Sequence, residues 1–182
     1  NAEGVLCHGY MEIRQLLQES LQNSLNVIID MGREFGRAFN RSYDNYFWDD
    51  GIAGAETVIV AMGSLAMEAT VAAEMLREEG YAIGVCGIRV FRPFPKVAIA
   101  TALKKAKNII IFDKNISYGA EGASCSEIKA ALYGSGSKAV IKNFIVGLGG
   151  RDVKAKELVK AVKRAIRSRR PVEPYPEWLS QI

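Results

Sequence analysis

Apolar positions recur along this chain in two rhythms. From about Tyr10 to Phe39, the residues Ile13, Leu17, Leu21, Leu25 and Ile28 form one stripe, with Gln, Glu, Asn and Arg between them. That spacing predicts an amphipathic helix. The run is long for a free-standing helix, and Gly32 and Gly36 are expected to weaken or break it. NRSYDNYFWDDG follows, polar but carrying Tyr43, Tyr46, Phe47 and Trp48. The plain expectation is a loop pinned onto a surface; a cluster of aromatics also suits a subunit contact.

After Ala55 the rhythm changes to short apolar runs alternating with helical stripes. TVIVAMGS reads as a strand, and Leu65, Ala69, Ala72 and Leu76 as the buried face of a helix that ends at Glu78-Glu79-Gly80. YAIGVCGIRVF is a second strand, stopped by RPFP because Pro93 and Pro95 remove donors and fix φ, while Pro95 can open the next helix, VAIATALKKAK. NIIIFD, SEIKAALYG, KAVIKNFIVG and DVKAKELVKAVKRAIRS continue as strand, helix, strand and helix. Alternation of this kind predicts an α/β fold, an open and mainly parallel sheet with helices on both faces, preceded by a helical extension. The expected division is a helical lead-in and aromatic linker over 1–54, the α/β domain over 55–170 and an extended, proline-fixed tail over 171–182.

Composition narrows the function classes. About half of the 182 residues are apolar, enough for one good core. No apolar run approaches the ~20 residues of a membrane helix, and the start lacks the pattern of an export signal, so the chain is expected to be soluble and cytoplasmic, with no membrane partner. Cys7, Cys86 and Cys125 lie far apart with no cluster-ligand spacing. An iron-sulfur or zinc centre would therefore have to come from another chain. His8 is the only histidine, which argues against a Ser-His-Asp triad or a multi-histidine metal site. The net charge of +4 is concentrated at the end: residues 154–182 hold eight bases and three acids, whereas residues 1–153 hold 16 bases and 17 acids. Leu158, Val162, Ala165 and Ile166 sit at helical spacing there, so the bases read as the solvated face of a closing helix. A nucleic-acid surface is disfavoured because no aromatics are interleaved with the charges.

Three glycine-containing loops follow strands and precede helices. Gly63 and Ser64, in MGS, permit close approach to a helix amino end, a natural anion site, but without GxGxxG or GxxxxGK[ST] a tight turn is the simpler reading. DKNISYGAEGAS holds Asp113, the donors Lys114 and Asn115, Tyr118 as a further donor, Glu121 as an acid, and Gly119 and Gly122 for turns closed to other residues. The simpler reading has Asp113 and Asn115 satisfying loop amides while Ser124 or Ser126 caps the following helix. In GLGGRDV, around Gly149, Asp152 is expected to cap the last helix and Arg151 is available to pair across a subunit boundary. All three loops should line one sheet edge.

These segments carry a family likeness. ETVIVAMGS, RVFRPFP, IIIFDKNISYGAEG, YGSGSKAVIKNFIVGLGGRDV and the earlier EFGRAFNRSYD, in that order, resemble the alpha subunit of pyruvate:ferredoxin oxidoreductases, or the matching region of the single-chain enzymes. The likeness covers essentially the whole chain, and the DKNISYGAEG segment favours the pyruvate-like branch. It implies a transketolase carboxyl-terminal-type domain of an enzyme that decarboxylates a 2-oxoacid on thiamine diphosphate, passes electrons through [4Fe-4S] clusters to ferredoxin and forms acyl-coenzyme A. It implies beta-, gamma- and delta-type subunits as partners, no cofactor on this chain alone and no catalytic residue on it. By that likeness the chain is expected to be a fragment, starting after the domain that shelters the thiamine ring. The rival expectations are a stand-alone module binding an anion or coenzyme A at the Gly63, Gly119 and Gly149 loops and, from the basic tail, a nucleic-acid binder.

Overall fold

The computed structural model describes residues 9–168 and 175–179. Cys7, His8 and residues 171–174 and 180–182 of the expected tail lie outside the described residues. The chain divides into two compact units, Asn1–Tyr46 with Val90–Pro95, and Phe47–Arg89 with Lys96–Ile182.

The first unit is built on α1, Tyr10–Phe39. The helix runs through Gly32 and Gly36, so the expected break does not occur. The glycines have another cause. After Asn40, which adopts the left-handed conformation (φ 53°), the chain reverses and presses its backbone onto the helix. A Cβ on Gly32 would stand 2.4 Å from the Tyr43 carbonyl oxygen, and one on Gly36 3.0 Å from that of Arg41. Absence of a side chain at both positions is what admits the returning segment. Phe35 packs against Phe39 in a tilted pair with ring centroids 4.5 Å apart and meets Tyr43 edge-on at 5.5 Å.

The second unit is a six-stranded sheet: β1 (Phe47–Asp50), β2 (Thr57–Met62), β3 (Ile83–Ile88), β4 (Asn108–Asp113), β5 (Val140–Ile145) and β6 (Glu177–Trp178), in spatial order β1-β3-β2-β4-β5-β6. Every pairing is parallel except β1 with β3. The connecting helices are α2 (Ser64–Glu78), α3 (Lys96–Leu103), α4 (Ala123–Leu132) and α5 (Ala155–Arg167). Side chains alternate across a strand, and here both parities are buried. Ile59, Ala61, Ile110, Phe112 and Phe144 join the core with Leu65, Ala69, Leu76, Leu158 and Val162 of α2 and α5. Val58, Val60, Ile109, Ile111 and Ile145 point the other way and are equally buried, as are Ile99, Leu103, Cys125 and Ile128 of α3 and α4. Burial on two faces explains why these strands read as unbroken apolar runs.

β1 differs from the loop expected for its segment. Its four residues, FWDD, pair Phe47 with Ile88 and Asp50 with Val85. Arg77 of α2 fixes it: Nε donates to the Ile83 carbonyl (2.8 Å), and Nη2 to the Asp50 carbonyl (2.8 Å) and carboxylate (3.1 Å). Asp49 and Asp50 put charge on the sheet edge, which discourages pairing with another chain.

Candidate functional site

β2 leads to β3 on one side, and the chain then crosses back to β4 on the other. That reversal creates a crevice outside the carboxyl ends of β2 and β4, where open α/β sheets take ligands. Gly63 and Ser64 flank it from β2, the 113–122 loop from β4, and Gly147–Arg151 from β5. The three loops thus share one edge, as expected from the sequence.

The 113–122 loop is closed by its own side chains. Asp113 has the same parity on β4 as Ile109 and Ile111, so its carboxylate faces α4, and it is 2% exposed. The first amides of α4 find acceptors in turn: Gly122 N–H donates to Asn143 Oδ1 (2.9 Å), Ala123 N–H to Asn115 Oδ1 (2.7 Å), Ser124 N–H to Asp113 Oδ1 (3.2 Å) and Cys125 N–H to Asp113 Oδ2 (3.3 Å). Asn143 Nδ2 then donates to Asp113 Oδ2 (2.9 Å) and the Ile111 carbonyl (3.2 Å), and Asn115 Nδ2 to Asp113 Oδ1 (3.4 Å). A helix start has four orphan donors, and all four are met from β4, β5 and the loop.

Several expectations are corrected here. Neither Ser124 nor Ser126 caps α4. The N-cap is Gly122; Ser124 supplies a donor, and the Ser126 hydroxyl donates to Glu121 Oε1 (3.2 Å). Gly122 is not required by its dihedral, since φ is −64°, but by space: a Cβ there would lie 2.1 Å from Asp113 Oδ2. Gly119 does need its freedom, with φ 80°. Glu121 turns inward to an ion pair with Lys129, and its Oε2 accepts from the Cys125 thiol at 3.3 Å. Burial, and after it the Glu121 charge, pushes that thiol well above its ordinary range. Tyr118, the expected donor, projects outward and is 93% exposed. Sequence reasoning missed Asn143, although an amide inside the apolar run VIKNFIV had to find partners once buried.

The other two loops are built differently. Gly63 (φ 63°) precedes α2, whose start has no side-chain cap. Gly149 (φ 67°) sits in a single 3₁₀ turn, Leu148–Gly150. The expected Asp152 cap on α5 is not formed. Asp152 pairs with Lys154, which holds its carboxyl below the usual range. Lys154 N–H instead donates to Glu157 Oε2, and Ala155 N–H to Glu68 Oε2 of α2, each at 2.9 Å. Lys114 joins the β4 and β5 loops, because its Cε would stand 2.8 Å from a Cβ on Gly147. Burial, with Asp49 adding to it, raises the Cys86 thiol to about 12.

Fold and site together define an open, doubly wound α/β domain whose main crevice is sealed by a carboxylate and two amides. The family described as pyruvate:ferredoxin oxidoreductase core domain II matches residues 55–158, and the chain belongs to that family. The ketoisovalerate oxidoreductase subunit VorA of Pyrococcus furiosus is 44% identical over 111 residues, 61% of this chain and 28% of the relative. The pyruvate synthase subunit PorA of Pyrococcus abyssi is 39% identical over 159 residues, 86% of this chain and 39% of that one. The chain thus spans well under half the length of these curated relatives. Among solved structures, a 2-oxoglutarate:ferredoxin oxidoreductase from Magnetococcus marinus, with 2-oxoglutarate, coenzyme A and succinyl-CoA bound, superimposes with a TM-score of 0.52 over 74% of this chain and 21% of that chain, at 20% identity. That likeness concerns the fold, and it agrees with the α/β architecture expected from the sequence. No helix among the described residues is long and apolar enough to cross a membrane.

Proposed function

We propose that this chain is a structural and assembly domain of a 2-oxoacid:ferredoxin oxidoreductase. In this reading the complete enzyme is cytoplasmic, decarboxylates its substrate on thiamine diphosphate, reduces ferredoxin through [4Fe-4S] clusters and forms acyl-coenzyme A. Beta-, gamma- and delta-type subunits are the direct partners of this chain. The observation that carries the reading is the filled crevice. A diphosphate would need free amides at a helix start, but in α4 these amides already have side-chain acceptors, one of them a buried carboxylate that would repel a second anion. A cluster would need several thiolates converging on one point. Among the described residues no group of three or more His, Cys, Asp or Glu side chains converges in that way, and Cys86 and Cys125 are neutral thiols on separate elements. The α4 side of the crevice therefore does not fit a diphosphate, and the described cysteines do not fit a cluster.

What the edge does offer is surface. Met62, Met67, Leu148 and Tyr118 are exposed there, beside Gly63, Ser64, Gly119, Gly149 and Arg151, and apolar exposure of that kind suits another polypeptide. Asp113, Asn115 and Glu121 support that surface from behind rather than touching a substrate. Residues 55–170 would then serve as the body of the sheet domain, with the lead-in (1–54) and the tail (171–182) each contributing an edge strand, β1 and β6. The relatives named for ketoisovalerate and for pyruvate are 44% and 39% identical, so similarity reaches a 2-oxoacid, and the preference for pyruvate rests on the DKNISYGAEG segment. Purified anaerobically with iron and sulfide, the chain is expected to be colourless and inactive in dye reduction dependent on oxoacid and coenzyme A. When co-expressed with the other subunits it should be recovered in one particle. Absorption near ~400 nm from thiolate-ligated iron together with turnover by the chain alone would overturn the proposal.

A further inference from the structure

We propose that the end of α1 and the segment folded back on it form a binding site for a diphosphate-like anion. The site lies within residues 32–44, largely inside the EFGRAFNRSYD motif, which the sheet and its edge do not use. Arg33 and Arg37 stand four residues apart on α1 and so share one face. The left-handed turn at Asn40 and the close approach permitted by Gly32 and Gly36 bring Arg41 around to the same face. Together they surround an open depression of about 730 Å³ whose lining side chains are all polar: Arg33, Arg37, Asn40, Arg41, Ser42 and Asp44.

Three guanidiniums gather there with two carboxylates beside them, Asp44 in the lining and the Asp30 that pairs with Arg33. Asp44 accepts a hydrogen bond from the Ser42 hydroxyl at 2.8 Å, and Arg33 is paired with Asp30 at 3.3 Å. Arg37 and Arg41 make no hydrogen bond or ion pair among the described residues. The helix dipole accounts for part of this, since the carboxyl end of a helix carries about half a negative charge. With Arg33 answered by Asp30 and a second guanidinium by Asp44, one remains to face that half charge and exceeds it. The choice of arginine also counts: its planar fork donates two parallel hydrogen bonds to phosphate oxygens, whereas the dipole would be served as well by lysine. The lining also selects among anions. None of the lining side chains is an aromatic that could stack on a nucleobase, and the depression is open rather than enclosed in the way ligand pockets are. The chemistry that remains is that of the phosphates alone.

The test is calorimetric titration of the 182-residue chain with inorganic pyrophosphate, and with ADP as a second source of the same diphosphate. Pyrophosphate should bind with a Kd of about 0.1–1 mM at low salt and weaken as salt is added. ADP should match it within a few-fold. Arg37→Gln and Arg41→Gln should each weaken binding about tenfold, the value of one charge-assisted hydrogen bond. Arg37→Lys, which keeps the charge and loses the fork, should weaken it as well. Both arginines are exposed, so thermal melts of the variants should match the parent and separate lost binding from lost folding. Undetectable pyrophosphate binding at about 10 mM, affinity unchanged in the two glutamine variants, or ADP binding that ignores them would overturn the proposal.

Discussion

Gly122 lacks a side chain because Asp113 occupies the space. A Cβ at that position would lie 2.1 Å from one carboxylate oxygen and 2.4 Å from the carboxyl carbon, distances no packed structure tolerates. In Gly122→Ala the carboxylate must therefore leave, and the amides of Ser124 and Cys125 lose their acceptor in a buried site. Loss of an N-cap costs about 0.5–2 kcal/mol and an unsatisfied buried donor about 1–3 kcal/mol. The expected loss is roughly 2–4 kcal/mol, a large share of the 5–15 kcal/mol that holds a typical domain together. Urea midpoints measure it. The same reasoning predicts non-additivity: once Asp113→Ala has removed the obstacle, adding Gly122→Ala should cost little more. A double variant whose loss equals the sum of the single losses would mean the two residues do not compete for that space.

At the scale of elements, the parallel strands and their helices could be read from the sequence because burial on both faces leaves continuous apolar runs. Two elements could not. β1 carries two aspartates in four residues, and its partner Ile88 lies 41 positions from Phe47, so no local pattern announces it. In α1, propensity alone treats Gly32 and Gly36 as weak points, whereas the reason for them is contact with residues 41–44, formed only after the chain reverses. The candidate site divides in the same way. Asp113 and Asn115 stand where a strand ends and are visible as acceptors for loop amides, whereas Asn143 arrives from the next strand and Glu68 reaches α5 from another helix. Gly32→Ala separates local from tertiary causes. Alanine is the better helix former by about 1 kcal/mol, so a local cause predicts a more stable unit. The 2.4 Å approach to the Tyr43 carbonyl predicts the reverse: helix content retained by circular dichroism, but the returning segment displaced and tryptic cleavage at Arg41 faster. Unchanged cleavage would mean that the contact gives way without cost.

Over the whole molecule, function depends on which surfaces are left uncovered, and the parallel sheet separates them into two edges. Each helix that follows a parallel strand begins at the carboxyl edge and ends at the opposite one, so Tyr118, ahead of α4, and Tyr133, just after it, lie at opposite edges. Their exposures are nearly equal, 93% and 91%. A serine at either position removes little buried surface, so both variants should keep the stability of the parent within about 0.5 kcal/mol. An assembly role for the carboxyl edge predicts different consequences in the complete enzyme. Tyr118→Ser should lower the fraction of chain recovered in the assembled particle by size-exclusion chromatography, the more so when combined with Met67→Glu, which puts a charge on the same edge. Tyr133→Ser should leave that fraction unchanged. Activity per assembled particle is the second readout, because a contact surface alters how much enzyme forms rather than how fast each particle turns over. Equal effects of the two tyrosine variants would remove the distinction between the edges. Normal assembly with abolished turnover in Tyr118→Ser would mean that the 113–122 loop reaches the reacting groups, and the domain would then have to be counted as part of the active site.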